Sequence, residues 1–189
     1  MPDNLIRCFI AVKIPEVAIM DIDKYSESLK RIAPDVRWVR VKGIHLTLKF
    51  LGEIKAARVT QVKESLSTIE GIFDVFNLNI KGTGCFPNRK RPRVFWLGVE
   101  QDNNNSLTLV QQWIEDRLYD LGFDKEKRRF SPHLTLGRVK KPQDFTNLFK
   151  YMDKHPFENV SFKVEEIVLM QSILKPYGAE YISVQIYTL

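Results

Sequence analysis

Cysteine is scarce in this sequence. Cys8 and Cys85 are the only two, far apart and in no metal-like spacing, so neither a disulfide framework nor a thiolate zinc site is implied. Both read as reduced packing residues. Long apolar runs are missing as well: no window approaches the ~18 uninterrupted apolar residues of a membrane span. The opening MPDNLIRCFIAVKIP carries Asp3, Arg7 and Lys13 where an export signal needs an uncharged stretch. A soluble, cytoplasmic protein with no membrane partner is expected. No Gly/Ser-rich or Pro-rich linker divides the chain, which points to one domain over residues 1–189. Histidine is sparse too, with three residues in all.

What is present fits a packed body. Of 189 residues, 44% are hydrophobic and 11% aromatic, enough to fill a core. Lysine and arginine number 29 against 23 acids, a net charge of +6 that favours a polyanionic partner. The stretches RKRPR (89–93) and KEKRR (125–129) concentrate that charge. Each alone reads as a solvated loop, but two such loops near a reactive site would track a phosphate backbone and make binding salt-dependent.

The order of elements repeats. RCFIAVKI (7–14) reads as a strand, and Ala18, Ile22, Tyr25, Leu29 and Ile32 mark an amphipathic helix stopped by Pro34. IHLTLKFLG reads as a strand, Val59, Val62, Leu66 and Ile69 as a helix, and FNLNIKG as a third strand. The second half runs the same way. RVFWLGVE (93–100) is a strand, and Leu107, Val110, Ile114, Leu118 and Leu121 form a helix ending at Gly122. HLTLGRV follows as a strand, then a short helix around Phe145, Leu148, Phe149 and Met152, the alternating strand FKVEEIVLMQS (162–172) and a terminal strand AEYISVQIYTL. Approximate units 7–82 and 93–172 result. The fold expected is α+β, with two pseudo-symmetric lobes, each an antiparallel-rich sheet with helices outside, around a central groove.

Within these units HLTLKF at 45–50 returns as HLTLGR at 133–138, 88 positions later. Phe9 precedes His45 by 36 residues and Phe95 precedes His133 by 38, so the two histidines hold equivalent places. Residues two apart on a strand share a face. His45 and Thr47 therefore point one way while Leu46 and Leu48 anchor the strand from behind, and His133 with Thr135 repeats the arrangement. One histidine on a strand is most often structural; two in register point to function. Imidazole titrates near pH 6.5, so one ring can accept a proton while the other donates. In-line attack on phosphorus needs that pair at opposite ends of one axis, and threonine hydroxyls can hold the non-bridging oxygens where charge builds. Zinc would want a third ligand, which neither motif offers, so no metal or cofactor is expected. His155, in DKHPFEN, reads as a surface loop residue.

The paired motifs resemble the two-histidine (2H) phosphoesterase superfamily. RCFIAVKIP, WVRVKGIHLTLKFLGE, GTGCFPNRKRPRVFWLGV, RRFSPHLTLGRVK and LMQSILKPYGAEYISV further resemble its branch of RNA 2′,3′-cyclic phosphodiesterases, also called 2′-5′ RNA ligases. That resemblance implies hydrolysis of a 2′,3′-cyclic phosphate at an RNA end to a 2′-phosphate, and a possible reverse joining through a 2′-5′ bond. By the family pattern His45 is the acid on the leaving 3′ oxygen, His133 the base on water, and Thr47 and Thr135 hold the phosphate; the near-symmetric repeat itself leaves the acid/base split open. Phe50 and Arg138, five residues after each histidine, are implied to contact base and phosphate. Strict alternation puts both on the back face, so a twist or bulge, or a strand end, is required. Core packing is the rival account of Phe50, whereas the Arg138 fork suits a phosphate. Trp38 and Trp96 read as core, Gly43 and Pro132 as turn-formers before the motif strands, and Ser172 and Tyr177 as supporting residues in a C-terminal motif. Other readings are a phosphodiesterase for 2′-5′ oligonucleotides or small cyclic nucleotides, and a non-catalytic RNA-end-binding module. A two-lobed body builds its own groove, so a monomer is expected.

Overall fold

The computed structural model of the protein describes residues 5–176 and 178–189. Among them nine strands form one curled sheet: β1 (Leu5–Lys13), β2 (Arg37–Trp38), β3 (His45–Lys55), β4 (Phe76–Phe86), β5 (Val94–Gln101), β6 (His133–Arg138), β7 (Val160–Val164), β8 (Glu166–Lys175) and β9 (Gly178–Thr188). Helices α1 (Glu16–Ile32), α2 (Ala56–Leu66), α3 (Ser106–Asp120) and α4 (Thr146–Lys154) lie on one face. The expected α+β class, with antiparallel sheets and helices outside, is what forms. No helix among the described residues is long and apolar enough to cross a membrane.

Helix placement follows from the apolar spacing. Ala18, Ile22 and Leu29 of α1, Val59, Val62 and Leu66 of α2, and Leu107, Val110, Ile114 and Leu118 of α3 are buried in the main core. They meet the strand residues of opposite parity to the His-x-Thr pairs, among them Ile10, Val12, Leu46, Leu48, Phe95, Leu97, Leu134 and Leu136. Burying a side chain of this size stabilises by about 1.5–3 kcal/mol, so the leucines of the two HLTL motifs fix which face the histidines can take.

The strand order is β7-β4-β5-β6-β3-β1-β8-β9, with β2 beside β6. The two motif strands are central neighbours, antiparallel and joined at Leu46↔Leu134, equivalent residues of the repeat. On either side the third strand of each sequence unit crosses over: β4 pairs β5, and β8 pairs β1. The expected strand 162–172 is two strands. Glu165 interrupts it, β7 ends against β4 at one side of the sheet, and β8 begins against β1 at the other. The run of alternating residues is continuous in sequence, but its two parts have different neighbours, and the acidic pair Glu165–Glu166 marks the break.

Candidate active site

β3 and β6 present His45 and His133 from adjacent strands on the sheet face opposite the helices, each half-buried. Each ring is held alike. Nδ1 of His45 lies 2.8 Å from the carbonyl oxygen of Gly43, and Nδ1 of His133 lies 2.7 Å from that of Ser131. A carbonyl can only accept, so Nδ1 carries the hydrogen in both rings and Nε2 is left to exchange a proton. Gly43 and Pro132, read from sequence as turn-formers, thus lie beside or supply these tethers. A Cβ on Gly43 would stand 3.1 Å from the Tyr181 ring, so glycine also lets that ring close on the site.

The surroundings of the two rings differ. His45 packs on Phe9, with centroids 4.6 Å apart, and edge-on to Tyr181 at 4.8 Å. Phe9, Ala11, Val168 and Met170 form a small second apolar cluster beneath it, with Tyr181 packed against them. Burial there pushes the His45 pKa below its ordinary 6.5, against the opposing pull of its bond to Gly43, and the positive charge of Arg138 lowers it further. His133 instead meets the edge of Phe86 at 5.0 Å, and Phe86 leans on Trp96 at 5.2 Å. Trp96 pairs with Thr135 and so points to the histidine face, not into the core as its sequence context predicts. Gly84 makes room for it: a Cβ there would come within 2.3 Å of the indole. The indole Nε1 is buried without a hydrogen-bond partner. Trp38 does join the core, stacked on Phe95 at 6.0 Å with Nε1 donating to Ala33 at 2.9 Å.

The parity problem of Phe50 and Arg138 resolves in the register. Against β1, Ala11 pairs Thr47 and Ile10 pairs Lys49, so Leu48 is an extra residue; against β5, Trp96 pairs Thr135 and Phe95 pairs Gly137, so Leu136 is extra. These are bulges at the same position of the two motifs, and each flips the residues beyond it. Phe50 returns to the histidine face, 62% exposed and 6.0 Å from Phe9, which disposes of core packing. Arg138 returns likewise and is exposed, and its charge reaches His45. His45, Thr47, Phe50, His133, Thr135 and Arg138 thus share one face of two adjacent strands.

Other expectations meet mixed outcomes. Ser172 pairs with Tyr181, which places it at the rim of the apolar cluster; Tyr177 lies outside the described residues. Cys8 is buried, with burial raising its pKa to about 11, but Cys85 is half-buried; both are free thiols. His155 is exposed at the end of α4 against Tyr151. In the basic stretches, Arg89 is bound by Asp153 at 2.8 and 2.5 Å, and Lys125 by Asp116 at 2.5 Å, so part of each cluster is neutralised. Two concavities of about 320 and 490 Å³ lie between α3 and the 125–132 loop and include neither histidine. Among the described residues, no three His, Cys, Asp or Glu side chains gather as metal ligands. Tyr181 escaped the sequence reading, although the alternation Tyr181, Ser183, Gln185 in the last strand marks a polar-edged face.

Sheet, paired motifs and tethers together define a two-histidine phosphoesterase scaffold, and comparison with known proteins agrees. Residues 12–96 and 97–181 each match the family described as LigT like Phosphoesterase, and the chain belongs to that family. It is 31% identical to the RNA 2′,3′-cyclic phosphodiesterase of Methanothermobacter thermautotrophicus, over 97% of this chain and 99% of that one. It is 34% identical to the protein of the same name from Thermotoga maritima, over 93% and 91%. Among solved structures, TT0787 of Thermus thermophilus superposes with a TM-score of 0.83 at 25% identity, covering 97% of both chains. Escherichia coli LigT complexed with 3′-AMP shares the fold, with a TM-score of 0.81 at 24% identity over 98% and 99%.

Proposed function

We propose that the protein hydrolyses RNA 2′,3′-cyclic phosphate ends to 2′-phosphates, using His45 and His133 as its proton-transfer pair. The single observation that carries the reading is the matched tethering of the two rings, Nδ1 to the carbonyl two residues back in each, which leaves two Nε2 atoms on one face of neighbouring strands. His133 takes a proton from water as its oxygen attacks phosphorus. The bond from phosphorus to O3′ breaks, and O3′ takes the proton of His45. Thr47 and Thr135 donate hydrogen bonds to the non-bridging oxygens, Arg138 adds its charge, and the exposed ring of Phe50 offers a stacking surface to the terminal base. With the 5′-hydroxyl of a second RNA end attacking in place of water, the same proton transfers would join the ends through a 2′-5′ bond, with O3′ again the leaving group. The relatives named as RNA 2′,3′-cyclic phosphodiesterases support the substrate class.

The domain is read as one two-lobed unit, residues 1–189, duplicated over about 7–82 and 93–172, monomeric and cytoplasmic, and needing no cofactor. The test is incubation with an oligoribonucleotide ending in 2′,3′-cyclic phosphate. Product should be the 2′-phosphate, formed equally well in EDTA, and His45→Ala or His133→Ala should each lower kcat at least ~10²-fold with the fold intact. A 3′-phosphate product, full activity in either variant, or loss on chelation with recovery by one metal would each overturn the reading. Binding without turnover would favour an RNA-end-binding module.

A further inference from the structure

The two residues five places after the histidines are equivalent by bulge and register, yet one is Phe50 and the other Arg138. The sheet is equally lopsided beside them. The short strand β2 sits next to β6, held by Arg37↔Arg138, Trp38↔Gly137 and the Val39 N–H donating to the Leu136 carbonyl at 2.7 Å. Directly opposed residues of an antiparallel pair project on the same side, with Cβ atoms about 4.5–5.5 Å apart. Arg37 therefore stands beside Arg138, both exposed. The back face of this ladder is fixed independently, since a Cβ on Gly137 would stand 2.8 Å from the core ring of Trp38. Arg37 and Arg138 thus face away from the core, onto the side that carries Thr135 and the histidines.

Two like charges opposed across a ladder are unfavourable, and the usual remedy is an acid between them. Here neither guanidinium has a hydrogen-bond or ion-pair partner among the described residues, whereas Arg89 and Lys125 of the two basic stretches do have theirs. The pair is therefore kept without an internal counter-charge. Both are arginines, whose planar forks bind phosphate oxygens two at a time. Arg138 is close enough to His45 for its charge to be felt there. Arg37 lies on the order of 5 Å from Arg138, on the edge of β6 that β3 also takes, but toward the Arg138 end of β6, whereas Phe50 runs past the other end.

From this geometry we infer that Arg37 and Arg138 form a second phosphate subsite, which takes the first internal phosphodiester of an RNA strand whose cyclic end occupies the histidine pair. The inference rests on the function proposed above and adds that the site discriminates a polynucleotide end from a mononucleotide. The terminal base lies toward Phe50, and the strand leaves along β6 toward its Arg138 end, beside β2. Arg138 touches both the reacting end and the next phosphate; Arg37 touches only the latter.

The experiment compares kcat/KM for a short oligoribonucleotide 2′,3′-cyclic phosphate with that for a mononucleoside 2′,3′-cyclic phosphate, in the native protein, Arg37→Ala and Arg37→Lys. Loss of one charged phosphate contact should lower the oligonucleotide-to-mononucleotide ratio about tenfold in Arg37→Ala, with Arg37→Lys recovering part of it. Binding of an oligonucleotide ending in 2′-phosphate is measured in parallel against salt. The slope of log affinity on log salt should become shallower by about 0.7, the value for one single-strand phosphate. An unchanged ratio together with an unchanged slope overturns the subsite. If the native protein turns over neither substrate, the hydrolytic reading fails, and the salt slope still decides the subsite by itself. Thermal unfolding of Arg37→Ala within a degree or two of native confirms that the exposed substitution left the fold in place.

Discussion

His45 sits on an apolar floor that lowers its pKa, and the proton-donor role proposed for it then meets a conflict. In the free protein above pH 6.5 the ring is mostly neutral. A phosphodiester anion beside it favours the charged imidazolium and moves the pKa back up, so substrate itself would load the acid. The expected result is an NMR titration of His45 that lies below 6.5 in the free protein and rises when an oligonucleotide ending in 2′-phosphate is added. The residual kcat/KM of His45→Ala should then climb with pH to a plateau, because only the base on His133 remains to be deprotonated. A residual rate that instead falls with rising pH would exchange the two roles. At this scale the histidines and threonines were legible because the motif occurs twice. Trp96 and Tyr181 were not, because a strand aromatic looks the same whichever face it takes. Trp96 turns to the site only because Gly84, across the ladder, leaves room for its indole.

Strand β3 carries a device that no alternation pattern reveals. The bulge at Leu48 sends Phe50 to the histidine face and Lys49 to the other, where Lys49 is buried. Its Nζ donates to Glu115 of α3 at 2.7 Å and to the Asp124 carbonyl at 2.6 Å. Glu115 also accepts from the Glu126 N–H at 3.1 Å and from Gln111 at 3.2 Å. The network ties the motif strand to the start of the 125–129 basic stretch. Both ends are nearly buried, so Lys49→Met, which strands a carboxylate, should cost about 3–5 kcal/mol in urea unfolding. The double variant Lys49→Met with Glu115→Gln should lose clearly less than the sum of the two single losses. Additive losses would mean the pair is not coupled. Helix existence and most strands followed directly from apolar period; the split of 162–172 at Glu165 did not, since each half alternates properly and only the choice of neighbour distinguishes them.

Over the whole molecule, the duplication in sequence and the division in space do not coincide. β4, from the first unit, completes the sheet around β5 of the second, and β8 of the second completes the sheet around β1 of the first. Neither half can satisfy its sheet alone. A fragment ending at residue 92 should therefore be unfolded by far-UV circular dichroism, and the intact chain should unfold in one transition whether followed by circular dichroism or tryptophan fluorescence. Two separated transitions would show the lobes to be independent. The repeat was visible as a match of HLTL with HLTL, but strand exchange depends on contacts between residues far apart in sequence, which spacing along one chain does not encode.

The narrow seam between the motif strands also sets how the cleft can behave. The crossed strands brace each side of the sheet internally, whereas beneath the two imidazoles the strands meet at the single ladder pair Leu46↔Leu134, with β2 joined to β6 beyond it. Two stiff jaws thus share a slender hinge, and any change of gauge on taking a ligand would run along that line.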